Sequence, residues 1–493
     1  MFLQVVSVLL IALVTNWFYH FIKFYKYLHK IPGPRVWPII GNILEFKDIK
    51  RTIYTLDRCM RRLKTKSMRL HNGFHTGVLT KDYQLIEALL SSQREIDRGY
   101  EYECIRTWLG NGIFISNGKT WRQQRKTLMP ALYTQHYPNF LDVIVRNANL
   151  MVDCLRKTLD QSSVDIAQFC TLCTLDIICE IGMGININAQ NGDNEDYVRA
   201  IHKITSISAQ KFCYLVYNNP MTYKWTKKFK QEQNVMKIIN NYTDKFFQER
   251  RDILNQRNDK NVQNDMQTVY LDVLFEATID GKPLTQQMMR DEINVYIFGG
   301  HDTSAITLAF AMFELSRNPD IQLKAFEEIN NIFGSDLNRP CTYEDTTKMK
   351  YLDGIIKETL RLYPPGPFVS RKLQKDMTID GITYPKDVTI AVCVYGVHHD
   401  ESYYDDPEKF DPDRFVVHQL DTKRPFSFLA FSKGPRNCVG QKFGMFQLRI
   451  LLSTILRKFE IVPAKPVHCL DLVNSMVIGS ANGIRVRLQN RSL

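Results

Sequence analysis

The sequence predicts a mostly helical chain with small β-sheets. Apolar residues recur at helical spacing through two long stretches, residues 284–318 and 349–363. The segments that read as strands are short: residues 377–379, 382–384, 388–394 and 484–488. The chain has 493 residues, 44% apolar and 24% charged, which is ordinary globular composition and excludes bulk disorder, collagen and coiled coil. A prior of roughly 150 residues per domain allows three domains, or one large domain with a tail. Either is long enough to enclose a cofactor.

Residues 2–22 carry no charge, which is enough helix to cross about 30 Å of hydrocarbon. Trp17, Phe18 and Tyr19 stand near its end, and Lys23, Lys26, Lys30 and Arg35 follow before the first acid, Glu45. This order predicts an uncleaved membrane anchor at residues 1–22 with the body on the cytosolic side. A cleaved signal would want a basic start and a small-residue cleavage site, and a mitochondrial leader would be rich in Arg. Pro32-Gly33-Pro34, Pro38 and Gly41 cannot be helix, so residues 23–41 read as a basic, Pro-rich hinge. Residues 42–493 form the body.

Within the body, residues 166–181 read as an apolar helix that buries Cys170 and Cys173 as core side chains. Residues 255–267 read as an exposed polar loop. Residues 284–318 read as one long helix, ended by Pro319, and the helix over 349–363 stops at Pro364-Pro365. Asp380-Gly381 and Asn482-Gly483 are hairpin signals. Eleven scattered cysteines, an odd count, do not make a secreted disulfide framework. Lys plus Arg exceeds Asp plus Glu by 64 − 52 = 12, spread without a run of five like charges, so a nucleic-acid tail is not supported.

The strongest chemical signal is Phe431-Ser432-Lys433-Gly434-Pro435-Arg436-Asn437-Cys438-Val439-Gly440. Phe443, Phe446, Ile450 and Leu451 follow at helical spacing, so Cys438 sits where a tight loop meets a helix N-terminus, an end that favours a thiolate. Local physics leaves three readings: an iron ligand, a nucleophile, or a buried thiol in a glycine turn. Glu358 and Arg361 share one helical face. Gly299-Gly300-His301-Asp302-Thr303-Ser304 puts two glycines inside the long helix, either for packing or to open it locally. His398 and His399, adjacent on an extended loop, face opposite ways and read as non-ligands.

The loop F-x-x-G-x-R-x-C-x-G resembles the haem-binding loop of the cytochrome P-450 superfamily. The resemblance spans nearly the whole chain: anchor, Pro hinge, central helix, and the later helices and loops. It implies the cytochrome P-450 fold preceded by one N-terminal transmembrane helix. It also implies Cys438 as the thiolate ligand of a haem b, with Phe431 shielding the sulfur and propionates held by Arg436, Trp121, Arg125 and Arg371. Glu358, Arg361 and Arg414 would form a structural triad. Asp302 and Thr303 would be the acid–alcohol pair that relays protons. Phe298, Gly299, Phe368, Val369 and Ile478 would line an apolar substrate pocket. G-H-D-T-S and G-P-R-N-C-V-G-Q-K-F are similar to the microsomal fatty-acid hydroxylase-like branch, its insect members most of all. Where many of that branch carry a haem-esterifying Glu, this chain has Gly299, which implies a non-covalent haem.

The function implied is an NADPH- and O2-dependent haem-thiolate monooxygenase acting on a lipophilic substrate at the endoplasmic reticulum membrane. No dinucleotide fingerprint is evident, so NADPH would act through a separate NADPH–cytochrome P-450 reductase, with a b-type cytochrome as a second partner. Arg122, Lys126, Lys433 and Lys442 are the basic contacts expected for the reductase. Three alternatives have sequence features against them. An isomerase or dehydratase without a reductase often lacks the Asp–Thr pair. A non-catalytic haem or lipid carrier, or a membrane scaffold, would not need it. A zinc or nucleic-acid binder would want paired ligands or clustered charge.

Overall fold

The computed structural model describes residues 2–45, 51–73, 75–132, 134–213, 220–259, 269–334, 336–474 and 476–491. Apolar helices pack face to face and make the core. Ile166–Met183 is buried along most of its length, because its apolar residues run round the whole helix rather than along one stripe. It packs against Tyr137–Arg156 and against both helices of the central pair, Gln286–Gly300 and Asp302–Arg317. Gln441–Lys458, the helix after the cysteine loop, packs on Tyr137–Arg156, on Lys350–Leu362 and on Asp302–Arg317. Cys170 and Cys173 lie inside this core, where burial pushes both thiols up.

The sheets are small and peripheral. The largest has the order Ser67–Asn72, His75–Thr80, Thr389–Cys393, Phe368–Lys372, with His75–Thr80 and Thr389–Cys393 parallel and the other neighbours antiparallel. Met377–Ile379 and Ile382–Tyr384 form the expected hairpin, with Asp380 at φ 48° and Gly381 at φ 72°. Asn482-Gly483 does not close a hairpin. The strand after it, Arg485–Asn490, pairs with Phe459–Pro463 and Val164–Asp165, both distant in sequence.

Two other expectations are corrected. The long central helix is two helices, broken at His301. Helix also continues into the polar stretch expected to be a loop, because Lys227–Asp259 is one element. Its buried Ile239, Phe246 and Phe247 fix the helix to the core before it enters the polar stretch. The remainder, residues 260–267, lies outside the described residues.

The N-terminal helix does not stop at residue 22 but runs Phe2–Leu28. Its later turns dock on the body: Trp17, Phe24 and Leu28 are buried, and the Arg69 guanidinium donates to the Leu28 carbonyl (3.1 Å). The Pro-rich segment is likewise tied down. Asn42 donates to the carbonyls of Pro34 and Arg35 and accepts from the His71 N–H (2.6 Å). Among the described residues, the helix long and apolar enough to cross a membrane is Ile166–Met183, which the domain buries.

Candidate active site

Cys438 is held by backbone. Its N–H donates to the Phe431 carbonyl (2.8 Å), and the Asn437 N–H donates to Gly434 (3.1 Å). Gly434 has φ +72°, and a Cβ there would run into the Leu90 carbonyl, so glycine is required. Arg125 steadies the loop from the side, donating to the Asn437 backbone carbonyl (3.0 Å) and side-chain Oδ1 (2.7 Å). Cys438 lies two residues ahead of the helix cap Gly440. The helix-end argument for a thiolate is outweighed here: burial pushes the thiol up, opposed by the Gly440 N–H and by Arg125. A metal would reverse that balance, because a coordinating thiol is deprotonated outright. Although the cysteine is deep, its own surface is open. Gly299, in the middle of the central helices, is open in the same way, and a Cβ there would meet nothing within 4 Å.

Three guanidiniums gather beside this space. Arg436 donates to the Ser116 (2.7 Å) and Phe114 (3.2 Å) carbonyls and stacks on Trp121 (4.7 Å). Arg371 donates to the Ser370 carbonyl (2.8 Å), and its Nη2 is buried with no partner. Arg98 donates to the Phe114 carbonyl (3.2 Å) and the Tyr102 hydroxyl (3.3 Å). Among the described residues none of the three makes an ion pair. Burial, then repulsion from Arg98, pushes Arg371 down to about 9; Arg436 falls to about 8 for the same reasons, with Arg371 adding to the repulsion. A guanidinium does not give up its proton in a protein, so the cluster calls for an anion instead. The two carboxylates of a haem supply one. Buried unpaired guanidiniums, the open thiol and the empty space over Gly299 therefore fit the group.

Arg98 is the residue sequence reasoning missed. It sits in a loop with no motif around it, and only the fold brings it to Arg371 and Arg436. Arg125, expected at a propionate, donates here to the loop at Asn437.

The central pair carries Asp302 and Thr303. Thr303 Oγ1 donates to the Gly299 carbonyl (2.7 Å), filling a gap that the helix break leaves. Asp302 Oδ1 lies 3.1 Å from His301 Nε2. Burial pushes Asp302 up, but the His301 charge and hydrogen bond, with His202 behind them, hold its carboxyl below the usual range. The two glycines separate in role. A Cβ on Gly300 would strike Ile178, so Gly300 serves packing, whereas Gly299 keeps space free.

Behind the loop, Arg361 grips Glu358 with two bonds of 2.8 Å, both side chains fully buried, and Arg414 Nε lies 3.4 Å from Glu358. Arg361 also donates to the carbonyls of His398, Pro407 and Lys409. His398 ends a short helix, Val394–His398, rather than lying on an extended loop. Its Nδ1 bonds the Arg361 carbonyl and its Nε2 accepts the Leu429 N–H (2.9 Å), so it is a neutral brace. Of the expected pocket residues, Phe298 packs edge-on to Phe114 (5.6 Å) and Trp108 (5.2 Å). Phe368 and Val369 lie on one sheet strand. The Ile478 N–H donates to the Pro365 carbonyl (3.2 Å), which brings it beside that strand.

An open thiol, with arginines waiting for carboxylates beside it, is the layout of a haem-thiolate protein. A family model described as Cytochrome P450 matches residues 31–483. The chain is 30% identical to "Cytochrome P450 4d2" of Drosophila melanogaster over 94% of each chain. It is 33% identical to "Probable cytochrome P450 4s3" of the same organism, over 96% of this chain and 94% of that one. It is 31% identical to "Cytochrome P450 4V2" of Homo sapiens, over 93% and 89%. The chain belongs to the cytochrome P450 family and is a cytochrome P450 monooxygenase. Its family implies a haem iron on a cysteine thiolate, redox partners and a lipophilic substrate.

Proposed function

We propose that this chain is a membrane-anchored monooxygenase that draws electrons from NADPH through a separate reductase and oxidises a lipophilic substrate such as a fatty acid, a hormone-like lipid or a xenobiotic. The observation that carries it is the open Cys438 thiol together with three clustered guanidiniums that make no ion pair among the described residues. When bound, the haem supplies activation of dioxygen, one atom going to the substrate and the other to water.

The residues divide the remaining work. Cys438 would ligate the iron, with Phe431 keeping water from the sulfur. Arg98, Arg371 and Arg436 would bind the propionates, with Trp121 fixing the plane of Arg436. Arg125 would hold the Asn437 turn in place. Asp302, an ionised carboxylate, would relay a proton to Thr303, whose hydroxyl would pass it on. Phe298, Phe368, Val369 and Ile478 would exclude water and orient an apolar substrate.

Arg122, Lys126 and Lys442 are exposed and Lys433 is half-buried, which supports a basic docking face near the loop. A groove of about 370 Å³ that includes Lys357, Lys442, Phe446 and Arg449 lies along the same helix. The uncharged run at residues 2–22 supports an anchor in the endoplasmic reticulum membrane, and alkaline carbonate that stripped the intact chain from microsomes would refute it.

The deciding experiment is the carbon monoxide difference spectrum of the dithionite-reduced protein, beside Cys438→Ser. A strongly red-shifted Soret band, lost in Cys438→Ser, is expected. A folded wild-type protein without haem, or haem with an unshifted band, would overturn the reading.

A further inference from the structure

His301 stands at the break between the two central helices, 1% exposed, and the proton relay from Asp302 to Thr303 leaves it without a role. Its ring is fixed at both ends. Nδ1 lies 2.8 Å from the Ile297 carbonyl, and a carbonyl only accepts, so Nδ1 carries a hydrogen. Nε2 lies 3.1 Å from Asp302 Oδ1. A bond there needs one proton between them, sitting on the imidazole or on the carboxyl. The carbonyl of His301 accepts from the Thr174 hydroxyl (3.1 Å) and from the Ala305 N–H (2.9 Å), so the backbone cannot swing the ring away. The pair is a store for a single proton, next to Thr303 and the open surface of Gly299.

We propose that His301 is a positioning residue that keeps this proton on the Asp302 carboxylate edge until it leaves toward Thr303. The inference rests on the monooxygenase reading above.

The step balances. The proton leaves the shared Nε2–Oδ1 position, and the pair becomes a neutral imidazole, still protonated at Nδ1, beside a carboxylate. A proton from bulk water restores it through Asp302, whose side chain is 16% exposed, and no electron moves. The charges agree with this wiring. Burial pulls His301 down, yet Asp302 raises it overall, and His202 helps to hold Asp302 ionised. From the other elements packed here, Ile166–Met183 presents Thr174 and Ile178, while its Cys170, Cys173 and Cys179 are kept neutral by burial and its Asp176 and Glu180 are engaged with Ala189 and Arg146. Gln441–Lys458 approaches with Gly444 at Ser304, and Glu358 on Lys350–Leu362 is engaged by Arg361 and Arg414.

The test uses the full-length, haem-loaded protein and the variants His301→Leu, His301→Gln and His301→Leu/Asp302→Asn. Infrared spectra of the resting ferric protein at neutral pH read Asp302 directly. A protonated-carboxyl band beyond those that wild type shows, such as that of Glu292, should appear in His301→Leu and be missing from the double variant. Dodecanoic acid is then oxidised either with NADPH and reductase or with cumene hydroperoxide, which brings its own oxygen and needs no relayed proton. His301→Gln should lose NADPH-driven product on the order of 10²-fold, with hydrogen peroxide released instead, and keep the peroxide-driven rate. No carboxyl band added over wild type in His301→Leu, or an equal fall in both oxidations, would overturn the role of His301. Failure of the monooxygenase reading itself would show separately, as a missing red-shifted carbon monoxide band in wild type.

Discussion

Glu292 shows how one buried side chain gives the protein a pH signature. Burial pushes its carboxyl up to about 8, with Asp291 adding and the Ile113 N–H opposing. The folded chain therefore keeps a proton there that the unfolded chain loses at its ordinary value of about 4.3. The unfolded state binds fewer protons across that window, so stability falls as pH rises from about 4.3 to about 8. Glu292→Gln removes the titration, and its melting temperature should gain on wild type steadily between pH 5 and pH 8. Parallel melting curves would disprove the assignment. The glycine pair gives a second prediction at this scale. Gly300→Ala forces a methyl into Ile178 and should cost about 1–3 kcal/mol, whereas Gly299→Ala fills open space and should not destabilise. Thermal unfolding of the two haem-loaded variants separates them.

Among the elements, Lys350–Leu362 depends most on a single contact. Glu358 and Arg361 are fully buried, and their bonds reach three separate backbone carbonyls plus the Asp411 N–H (2.9 Å). Glu358→Gln leaves two buried cations, Arg361 and Arg414, without their carboxylate, and breaking such a pair costs about 3–5 kcal/mol. The variant should express with little haem, read as Soret absorbance per protein. Wild-type haem content would show that the carbonyl contacts alone suffice. The spacing of Glu358 and Arg361 was legible in the sequence, but burial was not, because the same i, i+3 pair on a surface helix is worth little. The break at His301 was half legible: two glycines marked a weak point, yet a continuous apolar period ran across it. The ring of His301, bonded to Ile297 and Asp302, is what ends one helix and starts the next.

For the whole molecule, the net charge of +12 becomes informative only once it is placed. Arg122, Lys126 and Lys442 are exposed near the cysteine loop. Reversing Arg122 and Lys442 to Glu should weaken reductase binding, most at low salt where screening is least, and leave peroxide-driven turnover intact. Unchanged NADPH-driven turnover at low salt would remove this face from the interface. The N-terminal helix belongs to the same scale. Trp17, Phe24 and Leu28 seat its later turns on the body, so helix runs on through residues 23–28, where a stiff, Pro-rich hinge was expected to begin.

The sequence by itself determined the helical class, the Cys438 loop, the family and the identity of most candidate side chains. These are local facts: residue type, spacing within one element, and order along the chain. Tertiary structure alone decided the rest. Arg98 joins Arg371 and Arg436 although 273 and 338 positions separate it from them in the chain. Arg125 turns to Asn437, Arg485–Asn490 finds partners far away, and His301 meets Asp302 in a fixed tautomer. The physical reason is common to all of them. Burial sets the cost of each charge and each unpaired donor, and burial is a property of the packed chain that no run of neighbouring residues encodes.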